Sequence, residues 1–336
     1  MTIKRSIQQT AALVFGIMIH FTGISQVLKV EAIGMTVSDM DRSVQFYSDV
    51  LGFKKVSDME VYGDSYEQLQ NLFGLRMRIV RMQLGDEVIE LTDYLTSGGR
   101  TIPEDAKSND LIFQHIAIVV SDMDKAYAQL RKKMVEHVST APQTIPANNV
   151  TAAGVKAFYF HDPDGHNLEL IYFPKGKGQE KWQSQNGKLF LGIDHTAIGV
   201  SNTDKSLQFY QDILGITRKG DSWNNGTEQA HLNFVENASL HITGLRAAEG
   251  PGIEFLEYLQ PGPGKPYPAD SKTDDIWHWQ TRVIADDVQK LYDRLKAASY
   301  TMISQKIVNL KSSNGQVIKA FIARDGDGHA MLIMEN

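Results

Sequence analysis

A carboxylate inside an apolar strand pattern is the first residue that could do chemistry. Glu169 lies in NLELIYF (167–173), directly after the turn sequence Asp-Pro-Asp-Gly at 162–165. A charged side chain rarely faces a core without a partner, so Glu169 either points to solvent or holds a ligand. The chain contains no cysteine, which excludes disulfides, thiolate metal sites and cysteine nucleophiles. A metal at Glu169 would therefore be bound by nitrogen and oxygen atoms.

The composition is that of an ordinary globular protein. Of the 336 residues, 42% are hydrophobic and 22% are charged, and the net charge is −6. This length suggests two or three domains. Because the sequence has no long basic block, we expect no nucleic-acid partner.

The N-terminus differs in kind from the rest. A basic start with Lys4 and Arg5 precedes an apolar run at 11–19, and the small residues Gly23 and Ser25 precede Gln26. This pattern predicts a secretory signal peptide over 1–25, a secreted or periplasmic protein, and no stable membrane span after cleavage. The alternative is a membrane anchor formed by an uncleaved N-terminus.

An internal repeat organises the remainder. AIGMTVSDMDRSVQFYSDVLGF, from Ala32, returns 163 residues later as HTAIGVSNTDKSLQFYQDILGI, from His195. The ends of the halves match at the same offset, HDPDGHNLELI from His161 against RDGDGHAMLIM from Arg324. We therefore predict two homologous halves, 28–174 and 189–336, joined by a linker.

Each half is itself doubled. HIAIVVSDMDKAYAQL, from His115, repeats the start of the first half, and QTRVIADDVQKLYDRL, from Gln280, repeats the start of the second. Each module opens with a strand such as 33–37, then an Asp- or Asn-capped helix, then several short strands. The prediction is an α+β fold of four βαβββ modules, in which paired modules join their sheets around shared cavities.

The F-Y-x-D-x-L-G-F helix end and the D-P-D-G-x-x-x-E-L hairpin strand resemble the vicinal oxygen chelate superfamily. That superfamily includes glyoxalase I, extradiol dioxygenases, an epimerase and the bleomycin resistance proteins. The resemblance covers everything after residue 28 and implies two tandem domains. It also implies cavities in which the first and last strands of each module carry the metal ligands.

In the first half, the family positions are Ala32, Glu90, His115 and Glu169. The last three imply a divalent metal ion, which we expect to be Zn, Ni, Mn or Fe rather than copper(I). Either Glu90 or Glu169 would move a proton while His115 binds the metal. Ala32 cannot be a ligand, and we expect its neighbour Glu31 to face the other side of the strand. The alternative is a set of inherited pocket residues without metal.

In the second half, the positions are His195, Glu254, Gln280 and Leu332. Leu332 is a lost ligand, and His278 shares the face of Gln280 but lies outside the family register. We expect this half to be a ligand-binding or structural copy. His161 and His166 flank the turn, and we expect both to be exposed.

Three functions follow from the resemblance. The first is a metal-dependent enzyme of lyase or isomerase type that acts on a small oxygen-chelating substrate through the first half. The second is a non-enzymatic small-molecule binding protein of the resistance type. The third is an extradiol dioxygenase, which needs two histidines and one carboxylate that neither half supplies. An exported protein would not meet a cytosolic glutathione adduct, which argues against an orthodox glyoxalase I.

Overall fold

The computed structural model describes residues 26–184, 187–311 and 315–335. The expected signal peptide lies outside these residues. Within them, no helix is both long enough and apolar enough to cross a membrane.

Four modules follow one another along the chain, as expected. Module 1 contains β1 (Val27–Val37), α1 (Met40–Asp49), β2 (Lys54–Tyr62), α2 (Asp64–Gln70), β3 (Arg76–Leu84) and β4 (Glu87–Tyr94). Module 2 contains β5 (Gln114–Val120), α3 (Met123–Lys132), β6 (Gln143–Thr144), β7 (Lys156–His161) and β8 (Asn167–Tyr172).

The second half repeats this order after a short 3-10 turn at Glu180–Gln183. Module 3 contains β9 (Phe190–Val200), α4 (Thr203–Leu207) with a π-helical continuation (Gln208–Ile213), β10 (Thr217–Asn224), α5 (Thr227–Asn233), β11 (Ser239–Arg246) and β12 (Gly252–Gln260). Module 4 contains β13 (Trp279–Ala285), α6 (Val288–Ala297), β14 (Val308–Lys311), β15 (Val317–Arg324) and β16 (Ala330–Glu335). The α+β fold of four modules is confirmed.

The modules combine across the two halves. One eight-stranded sheet has the order β14-β15-β16-β13-β1-β4-β3-β2, so it joins modules 4 and 1. The other has the order β10-β11-β12-β9-β5-β8-β7-β6 and joins modules 3 and 2. We call them sheet 1/4 and sheet 2/3. The expected cavity within the first half, with Glu90 beside His115 and Glu169, is therefore wrong, because β4 and β5 belong to different sheets.

The halves remain packed units on the other faces of the sheets. One hydrophobic core draws mainly on modules 1 and 2, including Ile33, Met35, Ile116 and Ile118, whereas a second draws on modules 3 and 4. Because strand side chains alternate, the opposite face carries Ala32, Gly34, His115 and Ala117. Each half thus shares a core, while each candidate cavity lies between modules of different halves.

The two motifs that carry the resemblance are in contact. The N-terminus of α1 is capped by Asp39, whose carboxylate accepts a hydrogen bond of 3.0 Å from the Arg42 amide. On this helix, Tyr47 is buried and its hydroxyl donates to the Asp162 carboxylate at 3.0 Å. Tyr210 makes the equivalent bond of 3.1 Å to Asp325 in the second half. The contact between the helix and the turn thus joins the two modules of each half.

The expected exposure of His166 is wrong. Its side chain is fully buried, with Nδ1 at 2.9 Å from Asp162 Oδ2 and Nε2 at 2.8 Å from the Ile276 carbonyl oxygen. Burial alone would lower the pKa of His166, but the charge and hydrogen bond of Asp162 outweigh it and raise the pKa to about 9. His161 is half-buried and lies 3.1 Å from the Asn167 side-chain oxygen.

Candidate metal centre

Two histidines and two glutamates meet on sheet 2/3. His115 Nε2 is 3.1 Å from Glu169 Oε2. His195 Nε2 lies 3.6 Å from Glu169 Oε2 and 3.3 Å from Glu254 Oε2. Ligand atoms of His115, Glu169 and His195 all lie within 4.8 Å of one another. Of the residues expected from the sequence, the structure thus unites His115 and Glu169 of the first half with His195 and Glu254 of the second. We call these four residues the quartet.

The strand register explains this convergence. Across β5 and β9, His115 is opposite Ala197, and Ala117 is opposite His195. Glu254 continues the first row on β12, and Glu169 continues the second on β8. Each row therefore carries a histidine, an alanine and a glutamate, related by an approximate twofold axis. The small Ala117 and Ala197 leave space among the four longer side chains.

The polar atoms of His115 fit a metal ligand. The side chain is buried, and neither ring nitrogen has a hydrogen-bond partner among the described residues, although Glu169 is close. The ring packs against Tyr159, with ring centroids 4.9 Å apart. A buried imidazole without partners is costly, and coordination would satisfy it. Two nitrogen and two oxygen donors suit Zn, Ni, Mn or Fe.

His195 is held by a carboxylate from its own strand. Asp194 Oδ2 is 3.1 Å from His195 Nδ1, which leaves Nε2 directed at the two glutamates. The same Asp194 accepts bonds from Arg246 Nη2 at 2.9 Å, Trp182 Nε1 at 2.6 Å and Gln179 Nε2 at 2.9 Å. Such an outer carboxylate fixes the orientation of a metal-binding imidazole and raises its basicity.

The charges of the site are strongly coupled. Burial would lower the pKa of His195, but Glu254, Asp194 and Glu169 raise it to about 9. Burial raises the pKa of Glu254 against the opposing charge of His195. For Asp194, the contacts with His195 and Arg246 outweigh burial and hold the pKa below its usual range. Without a cation, His195 would hold a proton between the carboxylates that surround it.

The quartet lines a cavity of about 400 Å³. Its walls combine apolar side chains of modules 2 and 3 with a neutral polar side formed by Ser222, Asn224 and Gln229. Residues 177–179 of the linker between the halves close another side. The volume suits a small organic ligand, for which such mostly apolar clefts with a few polar groups are typical.

The other family positions lie on sheet 1/4 and form no second quartet. Glu90 on β4 and Gln280 on β13 flank Gly34 on β1, whereas Ala32 and Leu332 flank Arg282. The Arg282 guanidinium makes a short ion pair with Glu90, which is buried, and lies 3.2 Å from Glu31 Oε2. Arg282 on sheet 1/4 has the position that Ala117 has on sheet 2/3. Its guanidinium therefore lies where sheet 2/3 has open space beside a small alanine.

His278 does not join any of these groups in a metal cluster of the described part of the chain. It is buried, and its ring nitrogens make no hydrogen bond of acceptable geometry within the described ranges. Burial, and then the charge of Arg324, lower its pKa to about 3. His278 is therefore a neutral, packed histidine.

The expectation that Glu31 faces the other side of its strand is wrong. The pairing of β1 with β13 shifts between Val30 and Ala32, so Glu31 is an extra residue at a bulge. Strict alternation fails there, and Glu31 reaches Arg81 and Arg282 instead of the opposite face. Asp194 lies 163 residues later, at the matching shift on β9. Both bulges turn a carboxylate toward the site of their sheet.

The sequence analysis did not identify Asp194 and Arg282, which contact the candidate site residues of the two sheets. Asp194 directly precedes a candidate ligand, but only the bulge brings its carboxylate to the histidine ring. Arg282 had a visible signal, because it is a charged residue inside the apolar strand pattern QTRVIA.

Comparison with known proteins decides the family. The model of the glyoxalase/bleomycin resistance protein/dioxygenase superfamily matches residues 29–170 and again 192–331. The chain belongs to this superfamily. The predicted resemblance is thereby confirmed for both tandem repeats.

Relatives of this superfamily member have differing activities. Glyoxalase I of Saccharomyces cerevisiae is 27% identical over 198 residues, which are 54% of this chain and 55% of that protein. The 2-epi-5-epi-valiolone epimerase of an Actinomyces species is 30% identical over 159 residues, 46% of this chain and 84% of the epimerase. The match thus spans about half the length of the yeast relative.

Solved structures support the fold. Glyoxalase I from Zea mays aligns with a TM-score of 0.57 at 14% identity, covering 93% of this chain and 92% of that one. A variant of the maize enzyme aligns with a TM-score of 0.60 at 15% identity, covering 93% of this chain and 92% of that one. At this identity the likeness shows the fold alone.

Proposed function

We propose that the protein is a divalent-metal-dependent enzyme of lyase or isomerase type, acting on a small substrate that offers two adjacent oxygens. The observation that carries this proposal is the convergence of His115, Glu169, His195 and Glu254 on one cavity. A bound divalent ion would supply Lewis-acid stabilisation of negative charge developing on the substrate oxygens.

The residues of the chain have separable tasks. His115 and His195 would hold the ion, with His195 oriented by Asp194. Glu254 would complete the donor set and is also the carboxylate suited to moving a proton at Oε2. Its side chain is about 30% exposed to the cavity, against 7% for Glu169. Burial also raises the pKa of Glu254, which makes the carboxylate a stronger base. Glu169, close to both histidines, would act mainly as a ligand.

The test is hydrogen exchange catalysed by the reconstituted protein. Metal-free protein is loaded with Zn, Ni, Mn or Fe(II) and incubated in D2O with hydroxy-ketones, aldehyde adducts and epimerisable acids. We expect metal-dependent deuterium incorporation at the carbon beside the carbonyl group, detected by NMR and lost in Glu254→Gln. Tight metal and ligand binding without exchange would instead indicate the small-molecule binding protein of the resistance type.

Extradiol dioxygenase chemistry is the second candidate, because the structure removes the reason for ranking it low. Neither half alone supplies two histidines and one carboxylate, but sheet 2/3 brings His115, His195 and Glu169 together. The fourth group, Glu254, lies 3.3 Å from His195 and argues for a two-histidine, two-carboxylate set. Oxygen consumption by the Fe(II)-loaded protein with a catechol, increased in Glu254→Ala, would favour the dioxygenase.

We also propose that the protein is exported, on the basis of the pattern over residues 1–25. The mass of the protein recovered from the native host tests this proposal. A mature chain that begins at Gln26 is expected, and a chain that retains the apolar run would support a membrane anchor.

A further inference from the structure

A second chamber lies beside the cavity of the quartet. This chamber has a volume of about 340 Å³ and shares five lining residues with the first, namely Ile145, Ala157, Asn224, Gln229 and Leu232. These five residues border both chambers, so their side chains can contact a ligand bound in either one. The side chains around the second chamber define what that part of the ligand can be.

Neutral amides form the polar part of the border that the two chambers share. Asn224 is buried, and its Oδ1 accepts hydrogen bonds of 2.7 Å from both Asn149 Nδ2 and Ser222 Oγ. This fixes the orientation of the amide and leaves Nδ2 without an acceptor among the described residues. Gln229 is 5% exposed, and its side chain makes no hydrogen bond within the described ranges. Both amides can bind hydroxyl or carbonyl oxygens of a ligand.

The cations of the two chambers are already paired or capped. Arg246 lines the first chamber, but its guanidinium binds the Asp194 carboxylate and lies 3.3 Å from the Asp194 carbonyl oxygen. Lys177 donates to the carbonyl oxygens of Val150 and Thr151 at 2.9 and 3.0 Å. Among the described residues that line the second chamber, there is no Lys or Arg.

The charge balance follows directly. A divalent ion would neutralise the two glutamates of the quartet, and Arg246 neutralises Asp194. Lys177 keeps its positive charge, but its ammonium group is directed at two backbone carbonyl oxygens. Among the described residues, the second chamber is lined by the carboxylate of Glu228 and by no Lys or Arg. A phosphate or carboxylate of a substrate that reaches the second chamber would therefore lie near a carboxylate and without a counter-ion. Burying an unpaired charge is far more costly than burying a hydroxyl group that finds an amide partner.

We propose that the substrate is a small uncharged hydroxylated ketone or aldehyde, and that Asn224 and Gln229 bind its hydroxyl groups. This inference rests on the proposed metal-dependent function. It sets the protein apart from an enzyme for anionic conjugates, since a glutathione adduct carries two carboxylates. The carbonyl group and its neighbouring hydroxyl would lie at the quartet, and the remaining hydroxyls would reach Asn224 and Gln229 at the border of the second chamber.

A matched pair of probes tests the proposal. Calorimetric titration of the zinc-loaded protein compares xylulose with xylulose 5-phosphate, which differ only by the phosphate group, and with S-lactoylglutathione. We expect xylulose to bind at least tenfold more tightly than either anion. Asn224→Ala and Gln229→Ala should each weaken xylulose binding by fivefold or more while zinc affinity stays unchanged. The control is Gln68→Ala, an exposed glutamine on α2, which should change neither.

The outcomes separate this inference from the function on which it rests. If the protein binds no zinc, the metal-dependent function fails first. If it binds zinc but prefers xylulose 5-phosphate or S-lactoylglutathione, or binds none of the three probes, the uncharged-substrate proposal is overturned alone. Equal xylulose binding by wild type, Asn224→Ala and Gln229→Ala would overturn the role of the two amides.

Discussion

Arg282 is the internal cation of sheet 1/4, and its removal should be strongly destabilising. Its guanidinium is paired with Glu90, a carboxylate that is 3% exposed, and with Glu31 at 3.2 Å. In Arg282→Met the apolar part of the side chain is kept, but Glu90 loses the cation that offsets its burial. Arg81 does not replace it, because Arg81 Nε is 3.9 Å from Glu90 and its Nη2 is bound to Glu31.

The size of the effect follows from this burial. Breaking a buried ion pair by removing one partner costs about 3–5 kcal/mol, because the remaining charge is left uncompensated. Domains have free energies of unfolding of about 5–15 kcal/mol, so such a loss would be easily measured. Arg282→Met/Glu90→Gln removes the orphaned charge, and we expect it to recover at least about 1 kcal/mol relative to Arg282→Met alone.

Urea unfolding followed by circular dichroism measures these differences. Arg76→Met is the matched control, since Arg76 pairs with Glu60 on the surface and the two side chains are 55% and 44% exposed. The control should cost less than about 1 kcal/mol. The reasoning is refuted if Arg282→Met costs no more than Arg76→Met, or if adding Glu90→Gln makes the protein less stable still.

Three further predictions concern the quartet and the buried turn. Asp194→Asn should weaken zinc binding about 10- to 100-fold in a chelator competition, because His195 loses its orienting carboxylate. Glu31→Gln, at the matching bulge, should leave zinc affinity unchanged. Equal effects of the two substitutions would contradict the role of Asp194 in orienting His195. Ala117→Arg copies the arrangement of sheet 1/4 into sheet 2/3 and should abolish zinc binding in a protein that remains folded by circular dichroism, whereas retained zinc would show that the space beside Ala117 is not the ion site. The pKa of His166 is raised to about 9 in the folded protein, above its unfolded value of about 6.5, so its stabilisation is full below about pH 6.5 and is lost as the pH rises to about 9. The loss should reach about 3 kcal/mol in urea unfolding across this range, and a wild-type profile as flat as that of His166→Gln would disprove it.

The sequence predicts the modules well because their signals are local. The repeat at an offset of 163 residues, the capped helix after β1 and the turn at 162–165 each depend on neighbouring residues. The contact of Tyr47 with Asp162 joins the two most specific motifs within one half. For the same reason, the amino-acid sequence alone is enough to indicate the family and the α+β fold.

The pairing of the modules could not be predicted in the same way. The first strand of module 1 can extend its sheet with module 2 or with module 4, and both choices bury the same alternating side chains. The structure pairs β1 with β13 and β5 with β9. This long-range choice separates Glu90 from His115 and completes the quartet with His195 and Glu254.

Bulges were the second source of error. The alternation rule predicted that Glu31 faces away from its site, and it holds wherever a strand pairs regularly. At Glu31 and Asp194 the register shifts by one residue, and no local sequence pattern marked the shift. The carboxylates that balance Arg282 and orient His195 were therefore visible only in the structure.

Metal content of the purified protein tests the central claim most directly. Wild type is compared with His115→Ala, Glu169→Ala, His195→Ala and Glu254→Ala, with Glu90→Gln as the control on the other sheet, after reconstitution with zinc and removal of excess metal. The quartet predicts one ion per chain in wild type and Glu90→Gln, and strongly reduced metal in the four quartet variants. Metal retained in His195→Ala and Glu254→Ala but lost in Glu90→Gln, or no metal in wild type, would contradict a site built across the two halves.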